Sequence, residues 1–196
     1  DPNTEAARGR ARLGAAKVRF ESGLMEEQAR ELNIGFVSRV TQGRPWMSMK
    51  IAATLDGRTA LASGASQWIT GAEARHDGHR WRARACALLT GIGTVRADDP
   101  RLTVREVETP RQPLRVVVDS RLETPAGARV LQGGNALVFC AADQPERRAA
   151  LQARGAEIVR LPNAGGKVEL AAMLAELARR GVNELHVEGG FKLNGS

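Results

Sequence analysis

The sequence predicts an α/β protein built on a mostly parallel central sheet flanked by helices, and three observations carry that expectation. Short apolar, β-branched runs recur along the chain, clearest in LRVVV at residues 114–118 and ALVFC at residues 136–140. Continuous runs of this kind suit strands buried on both faces. Stretches of about a dozen residues with helical periodicity separate them, the spacing of βαβ units. Several runs also end on glycine or aspartate, in GIGT, VVVDS and HVEGG. Open α/β sheets place ligands at such carboxyl ends of strands.

Taken in order, residues 1–43 read as a segment apart. Residues 5–16 fit a short helix and residues 17–20 a short strand. Residues 26–40 fit one amphipathic helix, with acidic residues at its start and apolar Ala29, Leu32, Phe36, Val37 and Val40 at helical spacing. Gly43-Arg44-Pro45 closes it, because glycine ends helices and the residue before proline resists the helical region. One strand and two helices cannot form a core alone, so this segment must pack on the next domain or on something outside the chain.

Residues 46–54 read as a mostly buried strand, and Asp56-Gly57 as a tight turn. Thr70 to Glu73 reads as a capping box opening a helix that runs to about Arg84. Residues 86–90 form the next strand, followed by GIGT, whose glycines would let backbone N–H groups approach a phosphate. Asp98 and Asp99, before Pro100, suit a turn or a cap. Strands at 114–118, 136–140 and 157–161 alternate with helices at 144–154 and 168–180, the last stopped by Gly181. A final strand at 184–187 runs into Glu188-Gly189-Gly190, where a helix start able to hold an anion is expected. The chain ends there, so further C-terminal elements are expected beyond it.

Composition narrows the function classes. The chain has 196 residues, enough for one full domain with a substantial core, or for one domain plus a fragment. Its net charge is +7, and 25 of its 29 basic residues are arginine, which suits bidentate binding of phosphate or carboxylate. These residues are scattered, tyrosine is absent and phenylalanine sparse, so nucleic acid is not an expected partner. No apolar run reaches the roughly 18 residues of a membrane span. Cys86 and Cys140 sit in apolar runs without a CxxC, as buried thiols of a reducing, cytoplasmic compartment would. His76 and His79 share a helix face and, with no third ligand nearby, read as a solvated face rather than a metal pair.

The candidate site lies mainly in residues 45–105. Arg82 and Arg105 suit a phosphate or carboxylate. Trp68 could stack on a planar ring, although taken alone a core or rim role fits it better. Lys50 lies in the apolar run MSMKIAA, where a lysine belongs only if paired or turned to a site. Glu188 is a possible partner for a cationic intermediate. No Ser-His-Asp or Cys-His arrangement and no P-loop can be assembled. That favours a cofactor carrying the hard chemistry while the protein binds and orients.

Five motifs in this order, PWMSMKIAATLDGRTA, SGASQWITG, TVRADDPRLTVR, LRVVVDS and HVEGGFKLNG, resemble the reductase domain of the bifunctional riboflavin-biosynthesis deaminase/reductase family. The resemblance covers residues 45–196. Residues 1–43 resemble the tail of that family's deaminase domain, in DPN, the short strand and GLMEEQARELNIGF. The deaminase zinc site is absent, so zinc and deaminase activity are not expected of this chain. The resemblance implies a dihydrofolate-reductase-like fold and NADPH-dependent reduction of 5-amino-6-(5-phosphoribosylamino)uracil at ribose C1. It places Ala52, Trp68, Thr94, Asp98 and Ser120 at NADPH, with the turn of Gly190, Phe191, Lys192, Leu193, Asn194, Gly195 and Ser196 around its phosphates. It places Ser66, Arg82, Leu102, Arg105 and Glu188 at the substrate, with Lys50 and Glu188 nearest the reacting carbon. It also implies a homodimer for the complete protein. A fragment that binds without turnover and a pteridine-type reductase on the same fold are the alternative expectations.

Overall fold

The computed structural model describes residues 4–66 and 68–196; the DPN at the N-terminus and Gln67 of SQWIT lie outside the described residues. Six strands, β1 (Trp46–Met49), β2 (Ala87–Gly91), β3 (Leu114–Val118), β4 (Ala136–Cys140), β5 (Ala156–Arg160) and β6 (Glu184–Val187), form one sheet in the order β1-β6-β2-β3-β4-β5. Every neighbouring pair is parallel. The helices are α1 (Thr4–Ala15), α2 (Glu26–Leu32), α3 (Ile34–Gln42), α4 (Ala72–Arg84), α5 (Ile92–Asp98), α6 (Pro145–Gln152), α7 (Leu170–Arg179) and α8 (Phe191–Asn194), with a 3-10 turn at Arg129–Leu131.

The alternation of side chains along β2, β3 and β4 divides the core into two layers. Leu88, Val117, Val138 and Cys140 face Val95 of α5, Leu122, Val130 and Leu151 of α6. Leu89, Val116, Leu137 and Phe139 face Met173 and Leu177 of α7, with Leu185 and Val187 of β6. Leu88, Val116, Val117, Val138 and Phe139 are wholly buried. Each such side chain contributes about 1.5–3 kcal/mol of apolar burial, which explains why these runs hold almost nothing polar.

The N-terminal segment departs from the expectation. Residues 17–20 form no strand, since no partner edge lies beside them, and Lys17 turns the chain with φ +55°. The single helix expected over 26–40 breaks at Asn33, whose amide donates to Ala29 O at 2.8 Å and takes the place of the next helical turn. α2 is exposed, while α3 packs against the base of β1 and β6. Gly35 permits that approach: a Cβ there would stand 2.8 Å from Asn183 O. Arg39 Nε also donates to Asn183 Oδ1 at 2.6 Å. Gly43 closes α3 in the left-handed region at φ +66°, as the Gly-Arg-Pro stop predicts.

Three further expectations change. β1 stops at Met49 rather than Thr54, because its partner β6 stops at Val187; Lys50 N–H makes the last ladder bond, to Val187 O at 3.0 Å. α4 starts from Gly71, and no side chain caps it, so Thr70 lies one residue too early for the expected box. The strand expected at 86–90 runs over 87–91 instead, and α5 opens directly from the extended Gly91 at Ile92.

Candidate functional site

The carboxyl ends of β1, β6 and β2 lie side by side and bring Lys50, Glu188 and Thr90 together. Glu188 N–H donates to Leu89 O at 2.8 Å, and Thr90 Oγ1 donates to Glu188 O at 2.8 Å. The backbone of Glu188 is therefore fixed on both sides. Its carboxylate takes a fork from α4: Arg82 Nε donates to Oε1 at 2.5 Å and Nη2 to Oε2 at 2.7 Å. The third guanidinium nitrogen, Nη1, donates to Thr103 O at 3.1 Å. One arginine thus ties a helix, a strand end and a loop to a carboxylate. The two side chains are only 16% and 14% exposed, so this pair is shielded from water.

Burial pushes the Glu188 carboxyl up, but the Arg82 hydrogen bonds and charge, with His186 and Lys50, outweigh it and hold it below its ordinary value. Glu188 is an anion at neutral pH. His186 lies beneath it, buried, with Nε2 3.8 Å from Glu188 Oε1 and Nδ1 2.9 Å from Ser48 Oγ. Its ring stacks on Trp81 at 6.4 Å between centroids. Burial lowers the His186 pKa, with Arg82 and Lys50 adding and Glu188 opposing.

The loop after α5 carries Arg105. Asp99 closes α5 with φ +41°, and its Oδ1 accepts Arg129 N–H at 2.8 Å, so the turn-or-cap expectation is met at Asp99. Leu102, also at positive φ, buries its side chain in the core, which leaves only its main chain for any ligand. Arg105 Nη1 bonds only within its own loop, to Thr103 O and Oγ1. Among the described residues it has no carboxylate partner. Burial first, then the charges of Arg82 and Arg101, make its cation less favourable, with Glu106 opposing and Arg129 adding. A cation in that setting attracts an anion.

The other side of the site is the Gly189-Gly190 turn. A Cβ on Gly189 would stand 2.7 Å from Asn194 Oδ1 and 3.2 Å from Leu193 Cβ, so a larger residue there would push the α8 side chains aside. A Cβ on Gly190 would approach Thr94 Oγ1 to 3.5 Å, which places that turn against the start of α5. Asn194 Nδ2 donates to Gly189 O at 3.1 Å, while its Oδ1 is buried without a partner. Leu193 packs near Gly91; Phe191, Lys192, Gly195 and Ser196 are exposed.

The remaining candidates fall into separate groups. Ser120 gives its carbonyl to Ala141 and Ala142 N–H and its Oγ to Val168 N–H, so its groups are engaged in the fold. Asp98 is exposed at the end of α5, and Ala52 is half-buried after β1. Ser66 and Trp68 stand on the exposed stretch before α4. Trp68 is 73% exposed, so it is not a core residue, and the Arg75 guanidinium lies 4.6 Å over its ring. A cavity of about 330 Å³ bordered by Arg96, Leu122, Thr124 and Arg147 contains none of the candidates.

Sequence reasoning missed His79, Gln112, Ser48 and His186. His79 is not solvated as expected: it is 5% exposed, and its Nδ1 accepts Arg105 N–H at 3.1 Å. The HxxH spacing could only suggest a shared face. What the ring touches lies 26 residues away.

The family assignment follows from comparison with known proteins. The RibD C-terminal domain matches residues 45–196. This chain belongs to the RibD reductase-domain family. It is 37% identical over 212 residues to the riboflavin biosynthesis protein RibD of Escherichia coli, covering all of this chain and 56% of the relative. The RibD of Bacillus amyloliquefaciens is 38% identical over 200 residues, covering all of this chain and 53% of the relative. Among solved structures, Acinetobacter baumannii RibD superposes with a TM-score of 0.85 at 35% identity, over 98% of this chain and 53% of that one. The Thermotoga maritima deaminase/reductase superposes at 0.80 with 31% identity, over 98% and 52%. The chain thus spans about half the length of these RibD relatives, and it is their reductase part. Its fold is the dihydrofolate-reductase-like fold of that domain. Among the described residues, no helix is long and apolar enough to cross a membrane.

Proposed function

We propose that the chain carries the NADPH-dependent reduction of 5-amino-6-(5-phosphoribosylamino)uracil to its ribitylamino product, with the ribose opened to an imine and reduced at C1. The observation that carries this reading is the anionic Glu188, held by the shielded Arg82 fork beside an Arg105 that lacks a carboxylate partner. A substrate with a phosphate at one end and a transient cation at the other matches that arrangement. Arg105 binds the phosphate. Arg82, its charge already engaged by Glu188, orients Glu188 and Thr103 rather than acting as a second free cation. Glu188, ionised, stabilises positive charge at the reacting carbon, and Lys50 stands on the adjacent strand end.

The residues present fit a nicotinamide cofactor: the side-chain-free Gly189-Gly190 turn lies at the end of β6, against Thr94 and next to the unpartnered Asn194 Oδ1. Thr94, Gly190 and its following turn, Ser120, Asp98, Ala52 and Trp68 would hold it. When bound, NADPH supplies the hydride. The same reading assigns residues 1–43 to the end of a deaminase domain and 45–196 to the reductase domain. It makes the complete protein a cytoplasmic homodimer.

The test follows nicotinamide absorbance with the pyrimidine substrate in the parent, Lys50→Ala and Glu188→Gln. Substrate-dependent loss in the parent, reduced by about tenfold or more in either variant, is expected. Parent-like turnover in both variants removes them from the chemistry. A thermal shift with NADPH but no turnover would favour the binding-only alternative.

A further inference from the structure

Residues 99–112 form no helix or strand, yet side chains of α4 and of the loop's own end take up their main-chain groups in succession. Thr103 O accepts Arg82 Nη1 at 3.1 Å. Val104 N–H donates to Gln112 Oε1 at 2.8 Å, and Val104 O accepts Gln112 Nε2 at 3.0 Å, as if from a neighbouring strand. Arg105 N–H donates to His79 Nδ1 at 3.1 Å. Leu102, buried and at φ +48°, anchors the run to the core. Irregular backbone holds one shape where its polar groups are satisfied in this way. The Arg105 guanidinium leaves from the end of that fixed run.

We infer that His79 is a positioning residue for Arg105: its Nδ1, by accepting the Arg105 N–H, sets the direction from which the guanidinium meets an anion, and Gln112 holds the preceding residue to the same end. The inference rests on the proposed role of Arg105 and deepens it. Only a neutral ring can accept at Nδ1, and its proton then lies on Nε2, 3.8 Å from Glu106 Oε1. The charged groups facing the ring are Arg82 on its own helix, Arg105 and Glu106 on the loop, and Glu188 after β6; His76 meets the other oxygen of Glu106 at 3.9 Å. Burial first, then the two arginines, lowers the His79 pKa against the pull of the two glutamates, which keeps the acceptor in place at neutral pH.

Two substitutions separate the acceptor from the volume it fills. His79→Asn puts an amide oxygen near the place of Nδ1 and cannot titrate; His79→Leu fills the space without an acceptor. Sulfate, a dianion throughout the range, serves as the probe, with affinity read by calorimetry on the whole chain. His79→Leu is expected to weaken sulfate binding about three- to tenfold, the value of one hydrogen bond, and His79→Asn to stay within about twofold of the parent. Gln112→Leu, at the far end of the same loop and outside α4, is expected to weaken binding in the same direction and keeps the test open should His79→Leu not fold. A ligand-free readout is the Arg105 amide proton resonance. It should move upfield in the parent as pH falls through the His79 titration, and it should not titrate in His79→Asn. Equal sulfate affinity in the parent, His79→Leu and Gln112→Leu, or an Arg105 amide unmoved by His79→Leu, overturns the inference. If the parent does not bind sulfate, the anion role of Arg105 itself falls, and the amide resonance still reports on the His79 bond separately.

Discussion

The two halves of the sheet are built on different rules. β2, β3 and β4 are covered on both faces, and their inward residues are exposed by no more than a few per cent. β1, at the edge, leaves Trp46, Met47 and Met49 between 42% and 48% exposed, and Ile51 beyond it 57%. In the covered half, many neighbours share each contact. In the β1–β6 half, β6 still joins the core through Leu185 and Val187, and single long-range pairs set the rest: Ser48 with His186, Arg39 with Asn183, Arg82 with Glu188. The covered half therefore registers damage as lost stability, and the edge half registers it as a misplaced ligand group.

The largest break in that contrast is a cavity in the covered half. Phe139→Ala should cost about 3–5 kcal/mol in urea unfolding, whereas Met49→Ala at the edge should cost about 1 kcal/mol or less. Next comes the shielded pair. Arg82→Met strands a buried carboxylate and should cost about 3 kcal/mol, and it should also abolish turnover. Arg180→Met, which loosens an exposed pair to Glu157 and a part-buried one to Glu176, leaves both carboxylates able to reach water or Arg179 and should cost about 1 kcal/mol in the same assay.

Acid unfolding sharpens the comparison further. His79 and His186 are depressed below 6.5, so the unfolded chain binds protons first as pH falls. Stability is complete above 6.5 and begins to fall below it. Glu188 and Glu176 are depressed below 4.5, the latter to about 2, so their contribution is present above 4.5 and lost as pH drops towards those folded values. Unfolding free energy against pH should show two declines, and His79→Asn should shrink the first and leave the second. The smallest stability effect belongs to Lys50→Ala, within about 0.5 kcal/mol because the side chain is exposed; its effect belongs in turnover.

The same contrast explains what was legible in the sequence. LRVVV, ALVFC and ELHV announce their strands because each is buried by its own apolar character, and β3, β4 and β6 begin and end where the runs do. The glycine after β6 and the stop at Gly43 are equally local, and both are present. The strand expected to reach Thr54 fails because its length is set by β6, far along the chain. The helix over 26–40 fails because Asn33 turns its own amide onto the backbone. At the site, Arg82, Arg105 and Glu188 could be named by residue type and motif. That Arg82 is spent on Glu188 and Thr103 while Arg105, among the described residues, has no carboxylate partner depends on pairings up to 106 residues apart. His79 was misread for the same reason.

Initial rates of NADPH oxidation against phosphorylated substrate, in the parent and in Arg105→Met, test the central claim most directly. The account predicts a rise in KM of about tenfold or more with kcat within about threefold, the pattern of a lost phosphate contact away from the reacting carbon. An unchanged KM in Arg105→Met would contradict it.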